Sequence, residues 1–162
     1  MAVLRLQLDE FDAIDYDLIA IHSVVEDYRM AFLINQQLPI LLYKNPRPID
    51  VSVKEGEVAF SCFVYDDEQD ETNWMLIPNK NEIVVRKKST GQNLFLDTQV
   101  EIATLVHLLP EFKKVDYFLK LERKGSTKTV DEVLTALLNI NQVSTAYVVD
   151  PKKIKSKNNL IF

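Results

Sequence analysis

Residues 3–8 alternate strictly, with Leu4, Leu6 and Leu8 on one side and Arg5 and Gln7 on the other, which is the period of a half-buried strand. Acids follow at Asp9, Glu10, Asp12, Asp15 and Asp17. Leu18-Ile19-Ala20-Ile21 is then a continuous apolar run of the kind a central strand shows. Ser23 stands three residues before Glu26, the spacing of a capping box, and predicts a helix through residues 27–34. That helix must stop near Leu38, because Pro39 disfavours helical geometry at the residue before it. The apolar residues 40–43 then complete a first β-α-β unit.

The middle of the chain reads as strand after strand, over 51–53, 58–65, 74–77, 83–85 and 93–96, with polar turns between. Gly56 and Gly91 fall in those turns, and the acidic residues 66–71 read as a solvated hairpin tip. A calcium loop is excluded there, because the EF-hand spacing, central glycine and terminal glutamate are missing. From Val115 a second β-α-β unit appears: the strand VDYFLKLE, a turn at Lys124-Gly125, and a helix entered at Thr129. Val130, Val133, Leu134, Leu137 and Leu138 follow helical spacing, and Thr129 with Glu132 makes a second capping box. A last strand over 143–149 ends at Asp150-Pro151. A lysine-rich tail follows, closed by an apolar Leu160-Ile161-Phe162 that is expected to dock back on the domain or insert into a partner.

Two such units with right-handed crossovers can interleave into one antiparallel sheet with both helices on one face. The expected fold is therefore α+β and ferredoxin-like, with a β-rich insertion at about 51–108, in a single domain over 1–162. The strand 115–122 should lie beside residues 18–21, with Val115, Tyr117, Leu119 and Leu121 on one face. The loop entering that strand is expected at the end of the sheet opposite the first helix's N-terminus, away from Arg29.

Composition narrows the chemistry. Three glycines in 162 residues, against about 11 at average usage, leave too few for a dinucleotide fingerprint, a Walker loop or a nucleophile elbow. One cysteine and two histidines cannot furnish a structural zinc site or an intrachain disulfide, so no metal and no cofactor is expected. Cys62 alternates with apolar neighbours and reads as an inert buried thiol in a reducing compartment. No stretch approaches the ~18 apolar residues of a membrane span, so the expected location is cytoplasmic, with no membrane partner. The net charge of −5 conceals an asymmetry: residues 1–71 hold 5 Lys/Arg against 15 Asp/Glu, and residues 72–162 hold 14 against 9. The halves should attract one another, and an acidic total argues against nucleic acid.

Leu109-Pro110-Glu111-Phe112-Lys113-Lys114-Val115-Asp116-Tyr117 resembles the signature of the bacterial IPExxxVDY family, with leucine for isoleucine at the first position. Glu26-Asp27-Tyr28-Arg29-Met30 and residues 155–162 are similar to two further stretches of that family. The segment 79–108 is longer than its pattern. The family has no established activity, so the resemblance implies no catalytic residue.

The residues singled out for binding or interaction are Asp27, Tyr28, Arg29, Glu111, Asp116 and Tyr117. An ion pair or cap among Asp27, Arg29, Glu111 and Asp116 is the first reading of these charges, and a ligand or partner site the second. His22 and His107 read as structural histidines, and Ser23 is already used as a cap. The function expected is that of a non-enzymatic regulatory or adaptor domain binding a protein or small molecule. The alternative is a small enzyme using Glu111, Asp116 and Tyr117 as acid/base groups. RNA binding ranks below both, because VDYFLKLE offers Tyr117 and Phe118 but no glycine. Open sheet edges are compatible with a homodimer.

Overall fold

The computed structural model describes residues 16–88, 99–123 and 129–160; the strands read at 3–8 and 93–96 and the turns at Gly91 and Gly125 lie outside them. In chain order the described elements are β1 (Tyr16–Ser23), α1 (Asp27–Gln37), β2 (Tyr43–Lys44), β3 (Ile49–Val53), β4 (Gly56–Phe60), β5 (Phe63–Asp67), β6 (Thr72–Pro78), β7 (Lys80–Lys88), β8 (Gln99–His107), β9 (Tyr117–Arg123), α2 (Val130–Leu138) and β10 (Val143–Val148). The protein is α+β. Six strands form an antiparallel sheet in the order β10-β1-β9-β6-β5-β2, and β3–β4 and β7–β8 are separate two-stranded ribbons.

The alternation of β9 explains how the sheet is buried. Tyr117, Leu119 and Leu121 join Ile19, Ile21, Trp74 and Leu76 on one face, against Met30, Ala31 and Ile34 of α1 and Val133 and Leu137 of α2. Phe118 joins Leu18, Ala20 and Ile77 on the other, under Val51, Val58 and Phe60 of the β3–β4 ribbon and Ile154 and Leu160 of the C-terminal segment. A strand covered on both sides reads as nearly continuous burial. Emptying one fully buried position there, as in Leu119→Ala, would cost about 2–5 kcal/mol. The acidic tip is a turn between β5 and β6, in which Asp67 Oδ1 accepts the N–H groups of Gln69 and Asp70. Gly56 opens β4 at φ +133°, a conformation that L side chains rarely adopt. The Asp17–Arg123 ion pair joins the two halves of the chain, while Lys80–Asp116, Arg86–Glu101 and Lys120–Glu122 lie within the second.

Several local expectations are corrected. Ser23 does not cap α1: the N-cap is Glu26, without a side-chain cap bond. Ser23 is spent at the end of β1, where the pairing with β10 shifts register between His22 and Ser23, and its hydroxyl donates to Gln142 O at 2.8 Å. Residues 40–43 do not form a strand beside β9. Asn35 of α1 accepts Leu42 N–H at 2.8 Å and donates to Leu42 O at 3.0 Å, occupying the groups a ladder would need. Only Tyr43–Lys44 pairs, with β5 at the far edge of the sheet, and β6 takes the place beside β9. The run 58–65 is two strands in two sheets, broken at Ser61-Cys62, where Cys62 O accepts Asn45 N–H. Val115 precedes β9 and packs with Phe118, not with Tyr117. The cap at Thr129 does form, accepting Glu132 N–H. α1 ends at Gln37 with Leu38 as its C-cap, as Pro39 requires.

Candidate functional site

Antiparallel pairing puts the start of β9 beside the end of β1, and so beside the first turn of α1. Asp116 N donates to Ile21 O at 3.1 Å, and Asp116 Oδ2 accepts Ser23 N–H at 2.9 Å. This corrects the placement of the β9 entry loop at the opposite end of the sheet. Asp116 Oδ1 takes Lys80 Nζ at 2.8 Å, and both side chains are about one-third exposed. Tyr117 is buried, and its hydroxyl donates to Val25 O in the loop before α1. Burial first, then the negative charge of Asp27, Asp116 and Glu26, pushes its phenol up to about 12.

Asp27 opens α1. Its Oδ1 accepts Tyr28 N–H at 2.7 Å, and its Oδ2 accepts the Ser61 hydroxyl at 2.7 Å, reaching across to the break between β4 and β5. An open pocket of about 400 Å³ lies here, lined by Glu26, Asp27, Ser61, Lys80, Asn81 and Tyr117 together with Ala59, Phe60 and Pro78. Tyr28 and Arg29 are exposed on α1 and make no ion pair among the described residues. The Tyr28 phenol is raised, first by the hydrogen bond it donates to the Glu26 carboxylate.

Glu111 is engaged elsewhere. Its Oε1 accepts Lys155 N–H at 2.7 Å and Ser156 N–H at 2.8 Å, and its Oε2 accepts the Ser156 hydroxyl at 3.0 Å. Desolvation works to raise this carboxyl, but the donors of Ser156, its own backbone and Lys155 outweigh it and hold the group below its ordinary value. Asn159 adds a bond to Leu108 O at 2.8 Å. Thus Glu111 clasps the C-terminal stretch, while Asp116 and Tyr117 are bonded to Ser23 and Val25, just before α1. The alternative acid/base trio does not share a cleft. Glu111 faces the tail, Asp116 is bonded to Ser23 and Lys80, and only Tyr117 lines the pocket.

Pattern reasoning missed Asn79, Lys80 and Ser61. Asn79 is fully buried between β6 and β7; its amide donates to Phe112 O and Val115 O at 2.8 and 2.9 Å and accepts Leu109 N–H at 2.9 Å. It therefore fixes the loop that carries Glu111 and Asp116. An asparagine after a proline reads as turn chemistry, and only its partners, 30 or more residues away, reveal this role. His22 lies against Tyr147, ring centroids 5.8 Å apart, and His107 is lowered by burial and by Lys80 and Lys113. Cys62 is buried and its thiol is raised by that burial. Among the described residues no group of three His, Cys, Asp or Glu side chains is placed to hold a metal ion, and no helix is long and apolar enough to cross a membrane. Comparison with family models, curated proteins and solved structures gives no match for this chain.

Proposed function

We propose that this chain is a non-enzymatic cytoplasmic binding domain of the IPExxxVDY kind, ferredoxin-like with a β-rich insertion, whose pocket at the start of α1 takes an amine-bearing group of a small molecule or protein partner. The observation that carries this reading is the charge balance of the pocket wall. Glu26 and Asp27 line it with two carboxylates, while its ammonium, Lys80, is already paired with Asp116. The Tyr117 phenol, raised first by burial, is raised further by the negative charge of Asp27, Asp116 and Glu26. Ser61 and Asn81 add polar groups beside them. Binding is favoured over acid–base chemistry because Glu111, Asp116 and Tyr117 are each spent on a backbone partner.

Exposed ion pairs contribute only about 0.2–1 kcal/mol each, so a simple amine should bind weakly and a larger partner more tightly. Thermal unfolding with arginine, putrescine and spermidine, against glutamate and citrate, tests the reading. The amines should raise the midpoint in the native chain and not in Asp27→Asn; an equal rise in that variant, or a rise with the acids alone, would overturn it.

A further inference from the structure

The six-stranded sheet has two edges of opposite character. At one, β2 is only two residues long, carries Lys44 and is flanked by Pro39, Pro46 and Pro48, all devices that discourage strand addition. At the other, β10 reads Val-Ser-Thr-Ala-Tyr-Val over six residues, with no charge and no proline. Among the described residues no strand pairs with its outer side. Tyr147 and Val148 are 40% and 39% exposed there.

The direction of the backbone groups follows from the register. Val149 N donates inward to Leu18 O at 2.8 Å. In an antiparallel ladder hydrogen-bonding residues alternate, so Thr145 and Tyr147 face β1, while Ala146 and Val148 turn their N–H and C=O groups outward.

We infer that β10 is the interface of a two-fold symmetric dimer, in which Ala146 of one copy pairs with Ala146 of a second and the two sheets become continuous. This register sets Ser144 opposite Val148 and Thr145 opposite Tyr147, keeping each pair on one face. Every outward donor and acceptor then meets its complement, as an isologous contact requires. The smallest side chain of the strand lies on the axis, under the helix layer, where two copies approach most closely.

Charge is compatible with a second copy as the occupant. β10 carries no charged residue over Val143–Val148, so pairing it with itself sets no like charges opposite one another, and the lysines that follow leave the sheet in the turn Pro151–Lys153.

Light scattering over a dilution series of the full chain, with hydrogen exchange on the same samples, tests this. The native protein should run at twice the chain mass of 18.7 kDa, with Ala146 and Val148 amides protected and that protection lost on dilution. Val148→Pro removes an outward N–H, and Tyr147→Lys places a charge at an exposed position. Both should give monomers with unchanged circular dichroism. A native monomer would overturn the inference, and protection of those amides at every dilution would show that the chain covers its own edge. A dimer unaffected by both folded variants would also overturn it.

Discussion

Glu111 holds Ser156 with both carboxylate oxygens, one on the backbone N–H and one on the hydroxyl, across 45 residues of sequence. A charge-assisted bond contributes about 1.5–3 kcal/mol, and partial exposure reduces that here, so Glu111→Gln should cost about 1 kcal/mol. Because the folded carboxyl is held below the ordinary 4.5, its contribution is present above that value and lost as pH falls through the folded pKa. Urea unfolding at pH 7 and in acid should show a smaller loss on acidification for Glu111→Gln than for the native chain.

Tyr117 behaves oppositely with pH. Its phenol is raised from 10.0 to about 12, so the folded state keeps a proton that the unfolded state gives up. Stability is retained below about pH 10 and declines as pH rises through 12. Tyr117→Phe loses the bond to Val25 O, about 1 kcal/mol at neutral pH, and its alkaline decline should be the shallower of the two. Ultraviolet titration of tyrosinate should find one fewer high-pH group in the variant.

Asn79→Ala leaves Val115 O and Leu109 N without their partner in a buried place, while Phe112 O keeps the N–H of Val115. A buried group left unsatisfied costs about 1–3 kcal/mol, so the expected loss is about 3 kcal/mol or more. The urea midpoint measures it, and hydrogen exchange should show residues 109–116 opening first.

Ser23 and Thr129 separate two kinds of hydroxyl. Thr129→Ala removes a helix cap, about 1 kcal/mol, and should speed amide exchange in the first turn of α2. Ser23→Ala removes the bond to Gln142 O, also about 1 kcal/mol, and should loosen the β1–β10 junction while leaving the exchange of α1 unchanged.

These contrasts mark what the sequence makes legible. The helix-facing side of β9, the packing of Val130, Val133, Leu134 and Leu137 of α2, the Thr129 cap, the stop before Pro39 and the acidic turn follow from local periodicity and backbone chemistry, whereas Leu138, read onto the same face of α2, is half exposed. The docking of Leu160 onto the core follows from its apolar character at the end of a charged tail. The break at Ser61-Cys62, the loss of a strand at 40–42 and the place of β6 beside β9 depend on partners distant in sequence, which no window of residues contains. The candidate site divides in the same way. Asp27, Asp116 and Tyr117 come together at the meeting of β1, β9 and α1, and Glu111 goes to the tail. Tyr28 and Arg29 stay apart on the outer surface of α1, and Ser61 and Lys80 enter from the middle strands.

The reading of the pocket as an amine site is tested most directly by titrating the ¹⁵N-labelled chain with spermidine while following its backbone amides. The account predicts saturable shifts at Asp27, Ser61, Lys80 and Asn81 that vanish in Asp27→Asn and do not appear with glutamate. Shifts confined to other parts of the surface, or no shift at these four amides, would contradict it.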